Sequence, residues 1–477
     1  MSDLELAYRS AAEIGALYRR KEVSPIDLVR NALARVDEVN RVLNCFCFIY
    51  PEEALLQARM AEEALIAGRP LGPLHGVPIA IKDFTPTRGK RTTLGSRVYE
   101  DWIPEEDAVV AERLREAGAI LVGKTTTPEF AYASFTESPL WGVTRNPWNP
   151  QCTPGGSSGG SAVAVATGCV PLAEGSDAGG SIRLPAACCG IVGFKPSVGR
   201  IPFDSLKSQF LTIWHHGPLA RTVEDAALFL NATQGPDDRD ITSLPALPPL
   251  PVPIPRDVRG LKIALSLDLG YYAIDPEVAA HSLAVAETLR DRGAVVEEVD
   301  LAWDRGINDA CYLHFSVMMG MLFGQHLDRW RDRMDPFVVK LIEGAGSIDA
   351  LSLKNVELVR TAQWEKLRQL FRTYDALLCP TLSMAAPEIG RNEFEFDYDD
   401  DQGRCRAFDL TLQFNFIGQC PVVSIPSGLT GGGMPTAVQI VGRRYDDLTA
   451  LRIGAAIEEA RPWPKPPTHW DMAATTR

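Results

Sequence analysis

The sequence predicts an α/β protein: a large mixed, mostly parallel twisted central sheet covered by helices on both faces. Three observations predict it. Apolar runs at residues 77–81 and 119–122 flank a stretch with helical signals at 107–117, and strands alternating with helices fold as a largely parallel sheet. The alternation returns with runs at 261–267 and 294–299 around a helix opening at Asp275-Pro276 and ending at Arg292. Two Gly/Ser-rich stretches, 153–161 (Thr-Pro-Gly-Gly-Ser-Ser-Gly-Gly-Ser) and 175–183 (Gly-Ser-Asp-Ala-Gly-Gly-Ser-Ile-Arg), are each followed by apolar residues. A flexible linker has this composition, but between apolar segments it reads as a tight loop on a rigid scaffold.

Residues 1–66 read as helical. Ser24, Pro25 and Asp27 form a capped start, with a hydroxyl acceptor, a proline in the first turn and a carboxylate near the positive helix end. Ile26, Val29, Leu33 and Val36 recur at three- and four-residue steps and give one buried face. Residues 72–76 form a turn, and the strand 77–81 ends at Lys82-Asp83. Asp107 caps a helix to Ala117, which Gly118 terminates. The Ala- and Val-rich segment 162–167 fits either a buried strand or a helix packed tightly in the core. Residues 303–372 read as mainly helical, with an apolar patch at 315–323. Short buried strands at 374–379 and 422–425 each precede a proline, and 246–256, with five prolines, crosses the surface as an extended connection. Residues 393–401 alternate acids with Phe394, Phe396 and Tyr398 and read as a mobile surface loop. No clean boundary divides the chain, so residues 1–477 are expected to form a single domain with N-terminal helices at 1–66, a core at 67–225 and further α/β elements at 226–477.

Composition narrows the function. The chain has 477 residues, 45% hydrophobic and 23% charged, with a net charge of −13; an acidic balance argues against sequence-independent nucleic-acid binding, which needs a basic surface. The start lacks the basic and apolar regions of a secretory signal, and no run of about 18 apolar residues suggests a membrane span. The ten cysteines contain no C-x-x-C pair, and only His215-His216 cluster among seven histidines. The expectation is a cytoplasmic protein with reduced thiols, no metal and no cofactor.

Residues 118–125, Gly-Ala-Ile-Leu-Val-Gly-Lys-Thr, match the spacing of a phosphate-binding loop. Such a loop needs open residues between its glycines and a helix beginning at the lysine. Here the interior is Ile-Leu-Val and Pro128 follows, so the match reads as a strand end. More specific is the ordered set Gly76-Val77-Pro78-Ile79-Ala80-Ile81-Lys82-Asp83, the two Gly/Ser loops, and Cys189-Gly190-Ile191-Val192-Gly193-Phe194-Lys195-Pro196. To these add residues 121–125, 421–426 and Gln439-Ile440-Val441-Gly442. Together they resemble the amidase signature family, whose serine hydrolases cleave carboxamides with a Ser–Ser–Lys triad, and the resemblance covers nearly the whole chain.

The resemblance implies the amidase signature fold, with Ser181 as nucleophile, Ser157 as bridging serine and Lys82 as base. Ser157 and Ser181 stand 24 residues apart, the separation the family keeps, which leaves Ser158 in support. It further implies a cis peptide at Gly156–Ser157 and an oxyanion hole from the amides of Ala178, Gly179, Gly180 and Ser181. Asp177 and Arg183 would shape that loop, as an ion pair or closer to the chemistry. The residue types suit the task. A serine hydroxyl needs a base within hydrogen-bond reach, and lysine serves as one only where burial lowers its pKa.

Specificity is where the chain departs from the family. Many relatives carry Asn after the Lys-Asp pair, whereas this chain has Phe84. With Tyr132, Phe135 and Trp141 nearby, and His215 and His216 in a segment that could border the acyl pocket, the expected substrate is an apolar or aryl amide, cleaved to carboxylate plus ammonia or amine. The expected partner is a small-molecule amide, with no nucleic acid and no membrane; a homodimer is allowed. Two other functions compete. One is the glutaminase (A) subunit of a tRNA-dependent amidotransferase, which shares the triad; the other is a P-loop nucleotide-binding protein using Lys124.

Overall fold

Side chains along the strands alternate between separate cores, which shows directly that helices cover both faces of the sheet. In β2 (Pro78–Lys82) of the computed structural model, Ile79 and Ile81 enter one core while Ala80 enters another. The structure describes residues 1–470. The other strands, with β2, are β1 (Phe46–Ile49), β3 (Ile120–Thr125), β4 (Glu137–Ser138), β5 (Gly142–Val143), β6 (Leu172–Asp177), β7 (Val192–Lys195), β8 (His215–Ala220), β9 (Lys262–Leu265), β10 (Val295–Glu298), β11 (Ala376–Pro380), β12 (Val422–Leu429) and β13 (Pro435–Gly442). Strands β4 and β5 form a separate two-stranded ribbon, and the other eleven form one sheet in the order β1-β3-β2-β6-β8-β7-β12-β13-β11-β9-β10.

The large mixed sheet is as expected, but its parallel share is smaller. Only β2–β3, β2–β6, β9–β10 and β9–β11 are parallel among its ten neighbouring pairs. The antiparallel pairs include those of β8, which runs against both β6 and β7, those of β12 with β7 and with its hairpin partner β13, and β11–β13 and β1–β3. β6 carries Gly-Ser-Asp and β8 carries His-His-Gly-Pro, so neither shows the β-branched alternation that marks a strand in sequence.

One core lies between the sheet and the helices Ala11–Arg20, Val109–Glu116, Val223–Thr233, Pro276–Asp291 and Asp447–Ala460. On the other face, the helices Pro25–Leu43, Pro51–Ile66 and Gly159–Ala166 pack over β1 to β3 and β6, and the helices Gly306–Phe323, Pro336–Ala345 and Ala350–Leu370 over β9 and β11. Ser24 caps its helix as predicted, accepting from Asp27 N, and the Asp275 side chain accepts from Glu277 N at 2.8 Å.

Three expectations change. Residues 1–66 are not wholly helical, because Phe46–Ile49 pairs antiparallel with β3 at the sheet edge. Asp107 does not cap the helix Val109–Glu116: its carboxylate accepts from Arg88 N and pairs with Arg115, while Asp204 takes the Val109 N–H. The ambiguous run 162–167 falls in the helix Gly159–Ala166, buried at every residue, with Thr167 at its C-terminal cap. All ten cysteines are unbridged, and among the described residues no helix is long and apolar enough to cross a membrane.

Candidate active site

The two Gly/Ser loops meet beside the C-terminal end of β2. The first loop turns sharply: Gly155 sits at φ +78°, and a Cβ there would lie 2.8 Å from Pro185 Cα. The next peptide, Gly156–Ser157, is cis. The second loop leaves β6 and enters the short helix Arg183–Cys189. Gly180 has φ +121°, and a Cβ would fall 1.8 Å from Thr411 Oγ1, so no larger residue fits without moving the loop. Ser158 N donates to Ser181 O at 3.2 Å and joins the two loops.

Lys82 ends β2 with its side chain fully buried. Its Nζ donates to Ser157 Oγ at 2.7 Å and to Ser176 Oγ at 3.0 Å. Burial pulls the Lys82 pKa down to about 7, and the opposing charges of Glu174 and Asp177 do not restore it. Glu174 also fixes the lysine's backbone, accepting from Lys82 N at 3.1 Å, and its other oxygen accepts from the Thr85 hydroxyl at 3.0 Å. Ser176 lies within the Gly-Ser-Asp run quoted above, but nothing in its residue type beyond membership of that run signals the contact with Lys82.

Ser181 is half-buried and lines a cleft together with Gly156, Ala178 and Gly179. Among the described residues the Ser181 hydroxyl has no hydrogen-bond partner. The structure thus couples Lys82 to Ser157 but leaves Ser157 and Ser181 without a direct bond. Of the four expected oxyanion amides, Gly180 is already committed: its N–H donates to Asp177 Oδ1 at 2.7 Å. The amides of Ala178, Gly179 and Ser181 have no acceptor among the described residues. Ser158 Oγ donates to Ser176 O at 3.3 Å, tying the first loop to β6.

Asp177 and Arg183 form a buried two-point ion pair, with Nε to Oδ2 and Nη2 to Oδ1 both at 3.0 Å. Arg183 also donates to Thr411 O, Gln439 Oε1 and Asn415 Oδ1. Burial works to raise the Asp177 pKa, but the charge and hydrogen bonds of Arg183 outweigh it and hold the carboxylate well below its usual range. Every polar end of the pair is satisfied within the protein, which makes it a brace for the loop 177–183.

The aromatic expectations need correction. Only Tyr132 of the six expected pocket residues lines the cleft. Phe84 stacks on Trp214 at 5.2 Å between centroids and sits 5.7 Å from Lys82 Nζ, so it helps desolvate the lysine. Phe135 packs on Phe408 in a separate core, and Trp141 lies edge-on to Phe48 and donates to Thr93 Oγ1. The His215 nitrogens face Asp177 O and Gly418 O, and burial, then the Lys195 charge, push its pKa down to about 3. His216 lies against Glu174 Oε1 at 2.8 Å and Ser205 Oγ at 3.0 Å. Both histidines support β6 from β8. The cleft's other walls come from far along the chain: Tyr312 and Phe315 on the helix Gly306–Phe323, Leu412, and the acids Glu393 and Asp409. Glu393 belongs to the segment expected to be a mobile surface loop. It lies instead in a short 3-10 turn, Glu393–Glu395, capped by Asn392.

The phosphate-loop pattern at 118–125 is strand β3 and its lead-in, and Lys124 is buried, donating to Thr85 O at 2.8 Å. A short 3-10 turn at Glu129–Ala131, not a helix beginning at the lysine, comes next.

The site thus sits on a helix-covered mixed sheet with paired Gly/Ser loops and a buried lysine at a strand end, and comparison with known proteins makes the chain a hydrolase acting on amide C–N bonds. The family model described as Amidase matches residues 27–451, and the chain belongs to the amidase signature family. It is 35% identical over 471 residues to an acylamidase of Rhodococcus erythropolis, covering 97% of this chain and 98% of that protein. It is also 35% identical over 491 residues to the A subunit of glutamyl-tRNA(Gln) amidotransferase from Geobacillus kaustophilus, covering 97% and 99% of the two chains. Among solved structures, a bacterial aryl acylamidase of the amidase signature family superimposes with a TM-score of 0.88 at 32% identity, covering 96% of this chain and 97% of that one.

Proposed function

We propose that the protein is a free-standing amidohydrolase that cleaves an apolar or aryl amide through an acyl-enzyme on Ser181. The observation that carries it is the 2.7 Å contact of Lys82 Nζ with Ser157 Oγ in a buried setting that lowers the lysine pKa to about 7. Neutral Lys82 accepts the Ser157 proton while Ser157 accepts that of Ser181, and Ser181 Oγ bonds to the amide carbon. The carbonyl electron pair moves to oxygen, which accepts hydrogen bonds from the amides of Ala178, Gly179 and Ser181. Collapse of this intermediate breaks the C–N bond. The departing nitrogen takes a proton returned through Ser157, and Lys82 is neutral again. Water then repeats the sequence on the acyl-enzyme and releases the carboxylate. The relay requires the Ser181 hydroxyl to turn towards Ser157; catalytic hydrogen bonds commonly tighten only once substrate is bound.

Tyr132, Tyr312, Phe315 and Leu412 give the cleft apolar walls, which suits an aryl group. The similarity to amidotransferase A subunits supports a second reading, a glutaminase. Glutamine presents an α-carboxylate, however, and among the described residues no lysine or arginine lines the cleft to receive it. The test is a fluorophosphonate probe with a panel of aryl, aliphatic and peptide amides. Wild type should label and hydrolyse aryl amides as the isolated chain, whereas Ser181→Ala should do neither. Labelling that persists in Ser181→Ala would place the nucleophile elsewhere.

A further inference from the structure

Ser157 and Ser181 share no hydrogen bond, so their approach is fixed by how the two Gly/Ser loops are seated on each other. Beside the cleft, Ser158 N donates to Ser181 O at 3.2 Å. Behind it, Cys189 Sγ, at the end of the helix Arg183–Cys189, donates to Pro154 O at 3.4 Å. A further tie comes from a segment upstream of both loops, residues 146–148 (Asn-Pro-Trp). An α-helix leaves its last four carbonyls without intrahelical donors. In the helix Arg183–Cys189 the first two of these are met by the chain that follows: Ile191 N donates to Ala186 O at 3.0 Å and Gly190 N to Ala187 O at 3.4 Å. The last two are met from outside. Asn146 Nδ2 donates to Cys188 O at 2.9 Å and Trp148 Nε1 to Cys189 O at 2.8 Å.

Asn146 Nδ2 also donates to Thr153 O at 2.9 Å, at the start of the first Gly/Ser loop. One side-chain amide therefore spans the root of the first loop and the helix that carries the second. Its own place is fixed: Oδ1 accepts from Trp148 N at 2.8 Å, the Asn146 backbone N donates to Cys152 O at 3.1 Å, and the residue is fully buried. Trp470 Nε1 donates to Pro147 O at 2.8 Å and holds the same segment from the other side. Neither Asn146 nor Trp148 lines the cleft.

Resting on the amidohydrolase reading of the site, we propose that Asn146 and Trp148 are positioning residues that set the distance between Ser157 and Ser181. The helix is the lever. It rises about 9 Å from Arg183 to Cys189, and its first turn is bonded into the second loop, with Leu184 N donating to Gly180 O at 2.7 Å and Ala186 N to Ile182 O at 3.1 Å. Removing the outside donors leaves buried carbonyls unpaired, which is costly enough to shift the far end of the helix. The first loop keeps Thr136, whose hydroxyl donates to Gly155 O at 2.7 Å and accepts from Gly159 N at 3.2 Å. Ser157 thus stays with Lys82 while Ser181 moves, and a misplacement of about 1 Å can cost about 10²-fold in rate.

Two substitutions remove the donors while keeping the packing: Asn146→Asp is isosteric, and Trp148→Phe keeps an aromatic ring. Trp148 is only half-buried, so Trp148→Phe carries the test if Asn146→Asp does not fold. Each variant is compared with wild type for kcat and KM on 4-nitroacetanilide, with kcat expressed per site titrated to completion by a fluorophosphonate. The kcat per titrated site should fall about 10- to 100-fold in Asn146→Asp and about 3- to 10-fold in Trp148→Phe. KM should stay within about twofold, because the cleft walls are untouched. The rate of labelling should fall in step with kcat, since both need Ser181 aligned with Ser157, and the acid limb of the pH profile should not move, since Lys82 keeps its surroundings. A merely structural role would instead lower the number of titratable sites and leave kcat per site unchanged. That result, a rise in KM matching the fall in kcat, or a displaced acid limb overturns the proposal. If wild type labels but does not hydrolyse the anilide, the labelling rates alone decide. A wild-type chain that neither labels nor hydrolyses would strike the amidohydrolase reading itself.

Discussion

Lys82→Arg keeps a positive charge at the end of β2 but cannot give up a proton at any usable pH. It therefore separates a lysine that moves protons from one that only supplies charge. At the ordinary lysine pKa of 10.5, roughly one molecule in three thousand would hold a neutral amine at pH 7; at about 7, roughly half do. For wild type, kcat/KM on a neutral amide should fall about tenfold per pH unit below about pH 6 and level off above about pH 8. Lys82→Ala and Lys82→Arg should each lose about 10²- to 10⁴-fold, the range for a positioned general base. The assay is kcat/KM from about pH 5 to 10 for wild type and both variants. Lys195 needs a control, because burial lowers its pKa to about 7 as well. Its Nζ donates to Cys420 O at 2.9 Å and has no contact with either serine, so Lys195→Met should keep the acid limb. Near wild-type activity in Lys82→Arg, or loss of the limb in Lys195→Met, would refute the proton relay.

The same shift sets a stability trend. A lysine whose folded pKa lies below its unfolded value binds fewer protons in the folded state between about 7 and 10.5, so its contribution to stability rises with pH across that window. The stability of wild type relative to Lys82→Met should therefore increase from about pH 7 to 10, read from urea midpoints; a flat difference would mean that the amine is not desolvated. Arg183→Met leaves Asp177 buried without its partner and should cost about 3–5 kcal/mol, with loss of probe labelling as loop 177–183 relaxes; an unchanged urea midpoint would remove the bracing role. Phe315→Ala should raise KM for aryl amides more than for acetamide, because it opens one wall of the cleft. An equal change for both would place Phe315 outside the substrate's path.

Local chemistry is legible in the sequence wherever short, contiguous motifs carry it. Lys82, Ser157 and Ser181 lie in runs whose glycines and apolar neighbours announce sharp turns and strand ends, and the structure brings these runs to one place. The strands β6 and β8 are not legible, since Gly-Ser-Asp and His-His-Gly-Pro lack strand periodicity and are held in the sheet by their neighbours' hydrogen bonds. Phe84 reads as a cleft residue because it follows Lys82-Asp83, but the chain turns there and buries the ring on Trp214. Asp107 reads as a cap because it precedes a helix, yet Asp204, nearly a hundred residues away, occupies that position.

By itself the sequence determined the α/β class and the paired Gly/Ser loops, because each depends on residues adjacent in the chain, and its family resemblance supplied the expectation of Ser181, Ser157 and Lys82 as nucleophile, bridge and base. Only the tertiary structure decided what surrounds them. The depressed pKa of Lys82 comes from burial under Phe84 and between strands, and the engagement of the Gly180 amide from the fold of Asp177 back on its own loop. The acids and most of the aromatic rings of the cleft arrive on segments more than a hundred residues beyond Ser181. Desolvation and charge pairing depend on distance in space, and no local pattern in a chain encodes that.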